Sequence, residues 1–126
     1  MRRVRQRDTD AEMALRRELH RRGLRYRLHA TVLPSSRSRP DIIFRQAHVA
    51  VFVDGCFWHG CPEHGTEPKR NVDTWRRKIA LNRARDLRTT TQLENAGWTA
   101  IRVWSHEDPV EMATTIERIV RSRRAL

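Results

Sequence analysis

The sequence predicts a mixed α/β domain, with one central sheet flanked by helices. Three observations carry that prediction. A chain of 126 residues gives room for one compact core, so residues 1–126 are read as a single domain. Two near-continuous apolar runs, Asp41-Ile42-Ile43-Phe44 and Val49-Ala50-Val51-Phe52-Val53-Asp54, flank the polar turn Arg45–His48, which is the pattern of a hairpin buried on both faces. Stretches with helical spacing stand on both sides of this pair.

The elements follow in chain order. Thr9-Asp10-Ala11-Glu12 reads as a capping box, with Thr9 at the N-cap and Glu12 at N3. Ala11, Leu15 and Leu19 then recur at helical spacing, and Gly23 supplies the stop. A short, weakly alternating strand fits Arg25 to Thr31, and Leu33–Pro40 is a loop by composition. After the hairpin, Gly55 to Val72 is a long irregular stretch that needs something to organise it. A long helix is expected from Asp73 to Ala96, with Trp75, Ile79, Leu87 and Leu93 turned inward and Gly97 at its end. Trp98–Trp104 reads as a strand. Asp108-Pro109-Val110-Glu111 opens a last helix running to about Val120. Residues 1–7 and 121–126 read as basic, flexible tails.

Charge narrows the function. Lys and Arg number 26 against 15 Asp and Glu, a formal net charge of +11, and only Lys69 and Lys78 are lysines. A GC-rich genome accounts for arginine over lysine but not for the excess of cations. No apolar run approaches the roughly 18 residues that span a bilayer, and no signal-peptide core follows the basic start. What remains is a soluble, intracellular domain that binds a polyanion, and nucleic acid is the natural one.

Two carboxylates close the hairpin. With the turn centred between residues 47 and 48, cross-strand partners have numbers adding to about 95, so Asp41 and Asp54 are expected to face each other at its open end. Two carboxylates at that separation repel unless a proton or cation lies between them, and Mg²⁺ is a natural resident. In a basic protein, such a pair points to a metal aimed at a phosphodiester. The plainer alternative is that Asp41 begins a strand and Asp54 ends one, both ordinary places for aspartate. Glu12 has a role already in the capping box, and the residues alone leave open whether it reaches a site.

The segment Gly55-Cys56-Phe57-Trp58-His59-Gly60-Cys61-Pro62-Glu63-His64-Gly65 is the most informative in the chain. Cys56, Cys61 and His64 have a spacing suited to tetrahedral zinc, and His106, just past the Trp98–Trp104 strand, is the candidate fourth ligand. Such a structural zinc would organise the irregular stretch; the alternative is two buried thiols with surface histidines. His20, His29 and His48 stand alone and read as surface or packing residues. His59 is then left over as a general base or acid. Phe57 and Trp58, in a glycine-flanked loop, suit stacking on or wedging between bases, and Trp75 either joins them or packs in the core.

The string Val51-Phe52-Val53-Asp54-Gly55-Cys56-Phe57-Trp58-His59-Gly60-Cys61-Pro62-x-His64, preceded by Arg39-Pro40-Asp41, resembles the very short patch repair (Vsr) DNA mismatch endonucleases. The likeness continues through Trp75-Arg76-Arg77-Lys78-Ile79, Asn82-x3-Asp86, Gly97-Trp98 and Val103-Trp104, covering roughly residues 8 to 120. It implies a restriction-endonuclease-like fold of the PD-(D/E)xK type with a structural zinc. The implied activity is Mg²⁺-dependent nicking of duplex DNA 5′ to the thymine of a T:G mismatch left by deaminated 5-methylcytosine.

By the same resemblance, Asp41 is the metal-binding aspartate, and the Val53 carbonyl and Asp54 are further Mg²⁺ ligands. His59 activates water and Glu12 supports it. Phe57, Trp58 and Trp75 intercalate, with Arg39, Lys69 and Arg70 on DNA, and Cys56, Cys61, His64 and His106 hold Zn²⁺. The family places histidine at position 54 in its best-studied member and cysteine at position 106 in many. The arm before Arg7 is short by the family's measure. Implied partners are mismatched double-stranded DNA and, functionally, a cytosine-5 methyltransferase. The chain would be a monomer in the bacterial cytoplasm, at the nucleoid when acting. Two rivals stand beside this: a defence or restriction nuclease cutting other duplexes, and a non-catalytic zinc module that binds DNA.

Overall fold

A computed structural model of the chain describes residues 10–33, 39–55 and 70–124. Seven elements follow in order: α1 (Asp10–Arg21), β1 (Arg27–Leu28), β2 (Ile42–Phe44), β3 (Val49–Asp54), α2 (Val72–Asn95), β4 (Thr99–Trp104) and α3 (Pro109–Arg124). The strands form one sheet in the order β1-β2-β3-β4. β2 runs antiparallel to both β1 and β3, whereas β4 runs parallel to β3. A parallel neighbour needs a long crossover, and α2 lies in it.

The mixed α/β architecture therefore holds among the described residues. β2 and β3 are central, and all but Val53 of their residues are buried. Leu15 and Leu19 of α1 and Met112, Ala113, Ile116 and Val120 of α3 pack on one face, against Ile42, Phe44, Val49, Val51, Ile101 and Val103. The opposite face carries Ala50, Phe52 and Leu93, with Trp98 and Ala100 beside them. One face thus receives two helices and the other receives α2, which is why β3 is apolar at consecutive positions.

Local signals place the ends. Gly23 adopts φ 78, and its N–H donates to the His20 carbonyl while Leu24 N–H donates to that of Leu19, closing α1. Asp108 caps α3: its side chain accepts from Val110 N–H at 3.2 Å, and Pro109 takes the first helical position.

Four expectations are corrected. The hairpin pairs Ile42 with Val51, Ile43 with Ala50 and Phe44 with Val49, so partner numbers add to 93 rather than 95. All four of Arg45–His48 are used in the turn, closed by His48 at φ 54 with its N–H on the Arg45 carbonyl. The register therefore puts Phe52, not Asp54, across from Asp41.

Leu87 is not inward: it is 69% exposed, and α2 buries Ile79, Thr89 and Leu93 instead. The strand expected over Arg25 to Thr31 is reduced to two residues, consistent with its weak alternation. Finally, α3 continues through Arg124, which takes residues 121–124 out of the expected tail. Arg123 accounts for that extension, because its guanidinium donates to the carbonyls of Ala47 at 2.7 Å and Gly97 at 2.8 Å. No helix among the described residues is long and apolar enough to cross a membrane.

Candidate active site

Asp41 lies between buried Pro40 and the first residue of β2. Its backbone is fixed on both sides: its N–H donates to the Val51 carbonyl at 2.9 Å, and its carbonyl accepts from His29 N–H at 3.3 Å. Its Oδ2 accepts from the N–H of Val53 at 2.7 Å, bridging across the hairpin. The carboxyl is pushed up from 3.8 to about 7. Burial is the largest cause; the Val53 N–H opposes it, the charges of Glu12 and Asp54 add to it, and Arg102 opposes it weakly. Asp41 is thus a largely buried carboxyl with two acidic neighbours, Glu12 and Asp54, and a cation would stabilise its ionised form.

Glu12 is 1% exposed. The helical spacing that buries Leu15 and Leu19 also turns Glu12, the third residue of α1, toward the sheet. Arg16, one turn later, approaches it at 3.4 Å. His29 Nε2 lies 3.0 Å from Glu12 Oε2, and His29 Nδ1 lies 3.7 Å from Asp41 Oδ1. Glu12, His29 and Asp41 can each offer one ligand atom, all within 4.8 Å of one another, the only such group among the described residues.

His29 was missed from sequence. The signal lies in the edge pairing: β1 aligns Leu28 with Ile42, and the next step along that register sets His29 beside Asp41. With β1 only two residues long, no alternation announces it. A left-handed backbone at φ 48 then aims its ring at the two carboxylates.

Asp54 is buried at the end of β3, but its carboxylate is engaged. Arg102 Nη1 contacts both of its oxygens, at 3.2 and 3.3 Å. The same guanidinium donates to Thr90 Oγ1 at 3.1 Å and to the Asp86 carbonyl at 3.2 Å, and lies 4.1 Å over the Phe52 ring. Arg102 thus ties β4, β3 and α2 together. It is a second residue that sequence reasoning missed, because an arginine within a half-buried edge strand reads as solvent-facing.

The remaining expected residues divide by location. Trp75 is half-buried in the first turn of α2, whereas Arg39 and Arg70 are exposed. His106 is exposed two residues beyond β4. Ser105 N–H donates to the Asp54 carbonyl at 2.9 Å, so the ends of β3 and β4 lie side by side, and Cys56 follows β3 in sequence by two residues. Cys56, Phe57, Trp58, His59, Cys61, His64 and Lys69 lie outside the described residues.

Comparison with known proteins identifies the family. Residues 1–64 match the family model described as DNA mismatch endonuclease Vsr. The type II nicking enzyme V.NaeI of Lentzea aerocolonigenes is 44% identical over 102 residues, 79% of this chain and 61% of that protein. V.XorIIP of Xanthomonas oryzae, also a type II nicking enzyme, is 43% identical over 111 residues, 85% of this chain and 77% of that one. The DNA mismatch endonuclease Vsr of Escherichia coli is 33% identical over 105 residues, 82% of this chain and 65% of its own length. Among solved structures, the catalytic domain of the homing endonuclease I-Bth0305I superposes with a TM-score of 0.59 at 16% identity, covering 92% of this chain and 98% of that domain. The fold is thus that of a nuclease catalytic domain, and the chain belongs to the Vsr family of DNA endonucleases.

Proposed function

We propose that this chain nicks one strand of duplex DNA 5′ to the thymine of a T:G mismatch, with Mg²⁺ as cofactor. The observation that carries the reading is the convergence of Glu12 and His29 on Asp41, whose buried carboxylate is pushed up to about 7. That donor set fits a divalent cation, with Asp41 and Glu12 as hard oxygen ligands. The Val53 carbonyl is a further ligand in this reading, and Asp54 adds negative charge while Arg102 retains its carboxylate. A divalent cation held by Asp41 and Glu12 would supply Lewis acidity to the scissile phosphate and its leaving oxygen.

The protein's own groups do the rest. His59 takes the proton from the attacking water. Phe57, Trp58 and Trp75 wedge beside the mismatch, where weakened stacking lowers the cost of deforming DNA. Arg39, Lys69 and Arg70 fix the phosphate backbone and carry no sequence information. Cys56, Cys61, His64 and His106 hold a structural Zn²⁺, a set favoured by the side-by-side ends of β3 and β4. Action as a monomer at the bacterial nucleoid, downstream of a cytosine-5 methyltransferase, completes the reading.

A second substrate reading has a specific support: V.NaeI and V.XorIIP are named as type II nicking enzymes. In that reading the chain is a restriction-associated nuclease that cuts modified or fully paired duplexes. One experiment separates the two. Duplexes of one sequence, carrying a T:G mismatch, a methylated C:G pair or an unmodified pair, are labelled on each strand and incubated with Mg²⁺ or EDTA. Mg²⁺-dependent cleavage of only the T strand of the mismatch is expected. Equal cutting of the paired duplexes would replace the repair reading, and no cutting of any duplex would leave a DNA-binding module.

A further inference from the structure

We propose that His29 is itself a ligand of the cation at the Glu12–Asp41 site, and that it gives the site a preference for Mn²⁺ over Mg²⁺. The inference rests on the metal-dependent reading above and adds the identity of a nitrogen donor. Three features support it. One ligand atom from each of Glu12, His29 and Asp41 lies within 4.8 Å of the other two, a triangle compact enough to close on one ion.

Next, both ring nitrogens meet carboxylate oxygens, Nε2 at 3.0 Å from Glu12 and Nδ1 at 3.7 Å from Asp41. An unprotonated ring nitrogen offers a lone pair that a metal ion can take. A cation among the three turns that lone pair into a bond.

Third, the ring is held in place. His29 N–H donates to the Asp41 carbonyl, the backbone takes the left-handed conformation, and the side chain is mostly buried. His29 and Asp41 are thereby fixed opposite each other, one residue beyond the paired positions of β1 and β2. Oxygen-only sites suit Mg²⁺, which is hard and gives up water reluctantly. An imidazole nitrogen moves preference toward first-row ions, and among these Mn²⁺ still accepts carboxylates readily.

The test uses the full chain and Mn²⁺ as the probe, with binding read by electron paramagnetic resonance and Mg²⁺ affinity by competition. Pulsed spectra of the wild-type complex should show ¹⁴N coupling from a directly bound imidazole. His29→Gln keeps polarity and size but lacks the imidazole. It should lose that coupling and weaken Mn²⁺ binding at least about tenfold, with a smaller change for Mg²⁺. A circular dichroism melt verifies that the variant folds, and His29→Asn serves if it does not. Unchanged coupling and affinity in the folded variant would overturn the ligand role. Asp41→Asn distinguishes the two levels: binding lost there but kept in His29→Gln removes His29 and leaves the metal site standing. A wild-type chain that binds no Mn²⁺ or Mg²⁺ removes both.

Discussion

The Arg102 guanidinium contacts both carboxylate oxygens of Asp54 from the neighbouring parallel strand, 3.2 and 3.3 Å away. This pair decides how negative charge is distributed at the end of β3. Asp54 is 8% exposed, and Arg102 is a cation in direct contact with its carboxylate. Arg102→Met is expected to destabilise the fold by about 3–5 kcal/mol in urea melts, because it removes the guanidinium that contacts both oxygens of a buried carboxylate. Arg102→Lys should recover only part of that, since an ammonium cannot also span Thr90 and Asp86. A loss below about 1 kcal/mol for Arg102→Met would mean the pair is solvated.

Asp41 supplies a pH signature. Its folded-state carboxyl titrates near 7 against an ordinary 3.8, so the folded chain holds this proton more tightly than the unfolded chain does. Its contribution to stability is complete below pH 3.8 and is lost as the pH rises through about 7. At pH 8 the ionised group costs up to about 4 kcal/mol when no cation is present. Asp41→Asn retains an oxygen for the Val53 N–H. Without added divalent ions it should therefore stabilise the chain at pH 8 and have little effect at pH 4. Equal shifts at the two pH values would show that charge is not the cause.

The same substitution should abolish nicking of a T:G duplex in Mg²⁺. Glu12→Gln, which preserves shape at a fully buried position, should lower the rate roughly 10- to 100-fold without unfolding α1. Single-turnover rates measure both, and a Glu12→Gln enzyme at full rate would confine Glu12 to packing.

Helix α2 offers a contrast in burial. Leu87→Gln should change stability by no more than about 0.5 kcal/mol, because the side chain is 69% exposed. Leu93→Ala, which empties a site under the sheet, should cost about 2–5 kcal/mol. Equal costs would mean that α2 is rotated about its axis.

For the proposed zinc, elemental analysis of the purified chain should find equimolar metal. His106→Ala and Cys61→Ser should each lower the content and the thermal midpoint. Full zinc in both variants would exclude these residues as ligands.

The central hairpin was legible in sequence because both faces are buried and the apolar residues are contiguous. Asp41 was legible for the same reason, as the acid at the mouth of an apolar run. The register was not: the expected turn, Arg45–His48, is the one observed, but its centre lies between residues 46 and 47 and not between 47 and 48, which shifts every pair by two. His29 escaped notice because β1 is too short to alternate, yet that strand carries it to Asp41. On α2, Leu87 stands eight residues from Ile79, close to a helical repeat, yet it lies beyond the margin of the stripe formed by Ile79, Thr89 and Leu93 and faces water. Glu12 satisfied a helix-start pattern, which hid a side chain directed into the site.

Arg123 links the hairpin turn, through Ala47, to the joint between α2 and β4, through Gly97, and does so from the last turn of α3. Two loops distant in sequence are therefore latched by one C-terminal side chain. Shortening the chain to Val120 would release both latches at once and loosen the sheet at the end away from Asp41, so a trimmed protein could keep its catalytic groups and still melt early.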